Sequence, residues 1–172
     1  MNNKNICVDD VKIRFVDSSD AKALSEIYKP YVENTAVSFE YVAPDEKEFL
    51  RRIKDKTEHY PFIVVEYRGK VIGYTYASPF LPRPAYLHSV ETTLYINEFF
   101  HGLGLGKLLY TALEEVLKLQ NVISLNACIA VTHNPDETLT NNSMYFHDKM
   151  GYRYVGRFNC SGYKFDRFYD MI

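Results

Sequence analysis

The segment from Leu105 to Leu119 constrains this chain more than any other. Leu105, Leu108, Leu109, Ala112, Leu113, Val116 and Leu117 recur at i, i+3, i+4, i+7, i+8, i+11 and i+12, which lines one face of a helix with apolar side chains. Such a stripe has to be buried, so the helix must lie on a second layer of structure. Directly before it stands His101-Gly102-Leu103-Gly104-Leu105-Gly106, and before that the strand-like run Val90 to Ile96. A glycine turn between strand and helix leaves backbone N–H groups uncovered at the helix N-terminus, where they can cradle an anion. Each glycine beyond the one or two a tight turn needs costs about 0.5–1 kcal/mol of backbone entropy. Gly102, Gly104 and Gly106 together therefore imply that something approaches the backbone closely.

The other segments supply the layer. Val11 to Val16 alternates as a first strand, and Asp17, Ser18, Ser19 and Asp20 offer N-caps for a helix. Ala21 to Tyr31 carries Leu24, Ile27, Tyr28 and Tyr31 at helical spacing, and Pro30 is expected to end or kink that helix. Pro44-Asp45-Glu46 opens a second helix to about Lys56, with a narrow apolar face of Phe49, Leu50 and Ile53. Phe62 to Tyr67 and Val71 to Ala77, joined by Arg68-Gly69-Lys70, form a hairpin pattern. Ser78 to Pro84 is proline-rich and reads as a loop, followed by a long strand from Ala85 to Ile96. Beyond the glycine helix, Ile123 to Ala130 reads as a buried strand and Val131 to Thr140 as a polar loop. Asn142 to Met150 reads as a short helix stopped by Gly151, with closing strands at Tyr152 to Phe158 and Tyr163 to Ile172. Hairpins mixed with β-α-β order give an α+β fold, a mixed and mostly antiparallel central sheet flanked by helices.

Composition narrows the function. The 172 residues, 47% hydrophobic, suit one domain over residues 11–172 with a loose tail over residues 1–10. A net charge of −2 with mixed signs along the chain provides no basic stripe, which speaks against nucleic acid. Met1 to Asp10 lacks the apolar stretch of a secretory signal, and no run approaches the roughly 18 apolar residues of a membrane span, so a cytoplasmic protein is expected. Cys7, Cys128 and Cys160 are too far apart for a disulfide framework or a zinc site, and Cys128 reads as buried core. His59, His88 and His133 show no ligand spacing, so no metal is expected.

Two familiar phosphate loops fail on the glycine turn. A P-loop requires Ser or Thr after its Gly-Lys, whereas Gly106-Lys107 is followed by Leu108. A dinucleotide fingerprint would place its third glycine at Lys107, far down the chain from any opening βαβ unit. The ordered combination of Leu94-Tyr95-Ile96, the Gly-x-Gly turn, the leucine-faced helix and a downstream Ser143, His147, Gly151-Tyr152 resembles the GCN5-related N-acetyltransferase family (GNAT). More narrowly, Thr35 to Phe39, Ile72 to Pro79, Arg83 with Tyr86, Val90 to Ile96 and Gly162 to Phe165 resemble its phosphinothricin acetyltransferase branch. The similarity runs from about Ile13 to the C-terminus.

The resemblance implies a GNAT-like fold, acetyl-CoA as co-substrate, no metal, a small-molecule amine as acceptor and a homodimer. It places the pantetheine arm along the backbone of Leu94, Tyr95 and Ile96, whose N–H groups would polarise the thioester carbonyl, and the pyrophosphate on His101, Gly102, Leu103, Gly104, Leu105 and Gly106, with Ser143 as a further cofactor contact. The family usually carries Gln or Arg at His101 and Asn at Thr140, and neither Asn141 nor Asn142 simply inherits the second role. Arg83 and Tyr86 would hold the anionic head of an amino-acid substrate, with Phe39, Tyr76 and Tyr163 as candidate pocket walls and Lys164 as a structural or pocket-rim cation, while Leu81 replaces a lysine of the branch.

Acetyl transfer to an amine requires a base. Glu91 lies in Ser89-Val90-Glu91-Thr92-Thr93-Leu94, where alternation sets Glu91, Thr93 and Tyr95 on one face, and a carboxylate in a mainly apolar strand is costly unless paired or functional. The matching Glu of the branch is the proposed base. His147 shares a helix face with Ser143, Met144, Met150 and Gly151, and either protonates the departing thiolate or positions the substrate. The acceptor expected is a small amino acid or analogue of the phosphinothricin, methionine sulfone or methionine sulfoximine type. The alternatives are a coenzyme A-binding sensor without efficient transfer, and an acetyltransferase for protein N-termini or polyamines.

Overall fold

In the computed structural model, which describes residues 10–172, the strand, glycine turn and helix at the centre of the sequence form as expected. The expected tail, residues 1–10, lies outside the described residues except for its last member. The chain groups into two units, one containing Tyr28 and the residues before it with 44–126, the other containing 29–43 with 127–172.

The first unit is a five-stranded sheet in the order β1-β2-β3-β4-β5, with β1 Val11–Phe15, β2 Phe62–Tyr67, β3 Lys70–Pro79, β4 Ser89–Ile96 and β5 Ser124–Asn126. Every pairing is antiparallel except β4 with β5, which is parallel. Arg68 and Gly69 both have positive φ, 50° and 75°, the two-residue turn whose twist matches that of a hairpin. Helix α2, Glu46–Thr57, is capped by Asp45, whose carboxylate accepts from Glu48 N–H, and helix α3 is Leu105–Leu119. On α3 the buried stripe is Leu105, Leu109, Leu113 and Leu117, each worth about 1.5–3 kcal/mol of apolar burial. Leu108, expected in that stripe, is exposed.

The second unit is a three-stranded antiparallel sheet in the order β6-β8-β7, from Ala130–Val131, Arg167–Met171 and Phe158–Lys164, with helix α4 at Asn142–Lys149. Its core gathers Ala36, Ala130, Leu139 and Tyr169, with Phe39 packed against them. Helix α1, Ala21–Asn34, passes from one unit into the other.

Several expected boundaries move. Pro30 does not end α1, which runs on to Asn34; only one N–H is missing, and the turns on either side carry the helix past it. Ser78 and Pro79 belong to β3, paired with Glu91 and Val90, because a proline at a strand end forfeits no needed donor. Ala85 to His88 are not strand: Pro84–Tyr86 is a turn of 3₁₀ helix. The run Ile123 to Ala130 is two short strands, β5 and β6, separated at 127–129, and Ile123 is exposed. Cys128 is exposed rather than core. Residues 152–157 form no strand, and the closing pattern is the β7-β8 hairpin, turned by Phe165 and Asp166 at φ 50° and 56°.

Candidate active site

The β4-β5 ladder is short. Its pairs run from Ser89 opposite Ser124 to Glu91 opposite Asn126, while β4 continues to Ile96 against β3. Where the strands part, the Thr92 hydroxyl donates to the Asn126 carbonyl at 3.1 Å. Leu94, Tyr95 and Ile96 therefore stay in register with Thr75, Tyr74 and Gly73 on one side and have left β5 on the other.

Past Ile96 the backbone makes a 3₁₀ turn, Glu98–Phe100, capped by Asn97, whose side-chain oxygen accepts from Phe99 N–H. The His101 ring nitrogen Nε2 lies 3.0 Å from the Ile96 carbonyl, so the side chain holds the end of β4. Gly102 and Gly104 adopt φ of 77° and 78°, a region that L side chains rarely enter, and a Cβ on either would meet nothing within 4 Å. Gly104 caps α3 without a side-chain hydrogen bond, and the first N–H groups of a helix have no intrahelical acceptor. Backbone conformation thus accounts for Gly102 and Gly104; the buried Gly106 in the first turn of α3 is the one position left for the close-approach argument.

Glu91 is half-buried and, by the two-residue period of a strand, shares its sheet face with Thr93 and Tyr95 and with Tyr74, Tyr76 and Ser78 of β3. That face is aromatic: Tyr28 packs on Tyr95 and Phe49, Phe49 on Tyr74, and Phe62 on Tyr74 and Tyr76. Complete burial pushes the Tyr74 hydroxyl well above the ordinary tyrosine value. Lys56, from the last turn of α2, sets its ammonium 5.1 Å from the Tyr76 ring centre. Burial lowers the Lys56 ammonium below the usual lysine range, against the charge of Glu91, which favours the protonated form. Arg83 is exposed and opens the Pro84–Tyr86 turn by accepting Tyr86 N–H, while the Tyr86 ring packs edge-on against Phe80.

Phe39, Ser143 and His147 belong to the second unit. Phe39 lies over Gly162, where a Cβ would come 2.3 Å from the ring. The segment before Phe39 is tied by Lys164, whose buried ammonium donates to the carbonyls of Val32, Thr35 and Ser38 at 2.6, 2.9 and 2.7 Å. His147 is buried on α4; its Nδ1 lies 2.8 Å from the Ser143 carbonyl and 3.4 Å from the Ser143 hydroxyl. The carbonyl can only accept, so Nδ1 carries the hydrogen. Burial lowers the ring's pKa, with the Ser143 bond opposing it. Asn141, at φ 60°, pairs its amide with both backbone groups of Thr132, at 3.0 and 2.8 Å. That amide, next in the chain to Thr140, is engaged structurally.

Sequence reading overlooked Lys56, hidden in the charged run Lys54-Asp55-Lys56. The available signal is spacing: Phe49, Ile53 and Lys56 stand at i, i+4 and i+7, so the lysine extends the buried face of α2. Among the described residues no cluster of His, Cys, Asp or Glu could hold a metal ion, and no helix is long and apolar enough to cross a membrane.

A strand that leaves its parallel neighbour and runs into a glycine turn at a helix N-terminus is the architecture of an acyl-CoA N-acyltransferase. Residues 13–172 match the Acetyltransferase (GNAT) domain family, and the chain belongs to it: it is an N-acetyltransferase with acetyl-CoA as co-substrate. Within the family it is similar to the phosphinothricin N-acetyltransferase of Streptomyces viridochromogenes, 31% identical over 161 residues that cover 94% of this chain and 84% of that one. It is also similar to the L-methionine sulfoximine/L-methionine sulfone acetyltransferase of Salmonella typhimurium, 26% identical over 92% of this chain and 90% of that one. The crystal structure of a GNAT superfamily phosphinothricin acetyltransferase from Sinorhizobium meliloti in complex with AcCoA superposes with a TM-score of 0.85 at 30% identity, covering 94% and 85% of the two chains.

Proposed function

We propose that this enzyme acetylates the amine of a small amino acid or analogue of the phosphinothricin, methionine sulfone or methionine sulfoximine type. The observation that carries the reading is Glu91, a half-buried carboxylate on an aromatic sheet face, on the strand that runs into the glycine turn. The names of the relatives from Streptomyces viridochromogenes and Salmonella typhimurium point to the same acceptors.

The residues fit the co-substrate. The backbone of Leu94, Tyr95 and Ile96 departs from β5, and the positive-φ glycines leave open space before an uncapped helix N-terminus. In this reading they hold acetyl-CoA together with His101, Leu103, Leu105 and Gly106 of the same unit, and when bound it supplies the acetyl group as an activated thioester. An α-ammonium is unreactive until it loses a proton, and Glu91, directly or through water, accepts that proton. Glu91 shares its sheet face with Tyr74, Tyr76 and Tyr95, so the half-buried carboxylate stands on an aromatic floor. Burial disfavours the charged form of His147, and with its Nδ1–H donated to the Ser143 carbonyl it serves in this reading as a positioning group rather than as the acid. Tyr76, Arg83 and Tyr86, all of the first unit, contribute to the acceptor pocket in this reading.

Residues 11–172 form one catalytic domain in this reading, supported by a family match that runs through both units. The exposed, unbridged thiol of Cys160 supports a reducing, cytoplasmic setting. Exposed Tyr41, Val42, Tyr154, Val155 and Phe158 support a homodimer, to be checked by sedimentation equilibrium. The central test is acetyl-CoA turnover on an amine panel with Glu91→Gln alongside. Loss of the base is expected to lower kcat about 10²- to 10⁴-fold with acetyl-CoA affinity unchanged. An unchanged kcat removes Glu91 from the role, and acetyl-CoA binding without turnover on any amine favours a sensor.

A further inference from the structure

Beneath α2 the first unit holds a recess of about 390 Å³, lined by Arg51, Arg52, Asp55, Lys56, Tyr76 and Pro79 among others. Most of its charge is already committed. Arg51 forks onto Glu48 and also reaches Asp55, and Arg52 Nε donates to Glu48 at 2.9 Å. His59, also on the rim, is exposed and stands 4.0 Å from Glu58. Lys56 differs: half-buried, its ammonium lies over the Tyr76 ring and has no hydrogen-bond or ion-pair partner among the described residues. A desolvated ammonium held only by a ring face retains three donors for an anion.

The opposite charge stands on the same floor. Tyr76 pairs with Thr93 and Ser78 with Glu91, so Tyr76 and Glu91 are diagonal neighbours on one sheet face, within reach of long side chains. One face thus presents a carboxylate and, over the adjacent ring, an ammonium. An α-amino acid carries the complementary pair, an ammonium beside a carboxylate.

We infer that Lys56 is an acceptor-binding residue, taking an anionic oxygen group of an amino-acid acceptor whose amine faces Glu91. The inference rests on the amino-acid acceptor proposed above. Steady-state kinetics of Lys56→Met and Lys56→Arg on phosphinothricin, methionine sulfone and methionine sulfone carboxamide test it, with thermal melts as a folding check. Lys56→Met is expected to raise KM for the two acids about 10- to 100-fold, the value of a charge-assisted hydrogen bond, with kcat and the KM for acetyl-CoA within threefold. Lys56→Arg is expected to recover part of the loss, and KM for the carboxamide is expected to stay put. A loss confined to phosphinothricin supports the inference and assigns the phosphinate; a loss shared by both acids supports it and assigns the carboxylate. An equal change for the carboxamide, or none for the acids, overturns it. Wild-type enzyme that turns over no amino acid overturns the acceptor reading and this inference together, whereas wild-type turnover with an indifferent Lys56→Met overturns this inference alone.

Discussion

Replacing Lys164 by methionine removes three charge-assisted hydrogen bonds in a single step. The ammonium of this side chain, only 4% exposed, donates to the carbonyls of Val32, Thr35 and Ser38. Helix α1 ends at Asn34, so the Val32 carbonyl is one of the last four that no helical N–H can reach, and a cation there also suits the helix dipole. Burial lowers the ammonium below the ordinary lysine range, with the Glu40 carboxylate acting the other way. Each bond from a charged donor is worth roughly 1.5–3 kcal/mol net. Against that, methionine avoids the several kcal/mol it costs to dehydrate an ammonium. What it cannot avoid is leaving three backbone carbonyls behind. An ion pair can be replaced whole by apolar residues, but these acceptors belong to the main chain, and each one unsatisfied costs about 1–3 kcal/mol. The expected loss is therefore about 3 kcal/mol, equivalent to a drop of about 1.5 M in the urea midpoint for a slope near 2 kcal/mol/M. Circular dichroism through a urea titration measures it, and amide exchange at Ala36 and Glu40, bonded to Thr138 and Ser38, should accelerate in step. A midpoint within 0.3 M of wild type, roughly the scatter of such extrapolations, would refute the role of Lys164 as the clamp on residues 32–38.

Two further substitutions separate conformation from binding and fix a proton. Gly104→Ala and Gly69→Ala both force alanine to a φ near 75–78° in open space, so each should lower stability by about 1–2 kcal/mol in thermal melts; only Gly104→Ala should also raise the KM for acetyl-CoA, and equal effects of the pair on KM would remove the glycine turn from the cofactor site. His147 has its folded pKa depressed, so its contribution to stability is complete above the unfolded value of about 6.5 and is lost as pH falls toward the folded value. Unfolding free energies measured from pH 8 to 5 should accordingly fall more steeply for wild type than for His147→Asn, and parallel profiles would contradict a neutral buried ring.

How much of this was legible in the sequence follows from what each signal depends on. The glycine helix and α2 were readable because caps and periodicity are local: Asp45 and the Leu105-Leu109-Leu113-Leu117 row need no partner to be recognised. Strands failed where pairing decides. Ile123 to Ala130 is apolar enough for a core strand, yet Ile123 sits at the sheet edge with its N–H on the His88 carbonyl, and only Ser124–Asn126 pair. Tyr152 to Gly156 has the right residues and no ladder, since the Tyr152 N–H goes to the His147 carbonyl at the end of α4. In the candidate site, Glu91 is legible because a carboxylate interrupts an apolar strand. Lys164 is legible only as a structural or pocket-rim cation, because the three carbonyls it holds lie far away in sequence, and Lys56 is missed because a lysine looks solvated until the surface that buries it is known.

The placement of Glu91 and Lys56 on an aromatic floor makes their effects interdependent. The chain carries 15 Tyr and 11 Phe, and those facing α2 interlock: Tyr74 stacks on Tyr76 at 6.4 Å and tilts against Tyr95 and Phe62 at 5.6 and 5.8 Å. Rings packed on one another have few rotamers left, so a carboxylate on the same strand face stands on rigid elements rather than on a loop. Partial burial of both Glu91 and Lys56 strengthens the attraction between opposite charges relative to open water. With Glu91 removed, Lys56 loses a charge that favours its protonated form while still bearing the cost of burial. Its ammonium becomes easier to deprotonate, so the part of acceptor binding that depends on Lys56 is lost at a lower pH in Glu91→Gln than in wild type, and the acceptor KM measured against pH reads that displacement. Because the two groups share one face, the double substitution with Lys56 costs less than the two single losses added together.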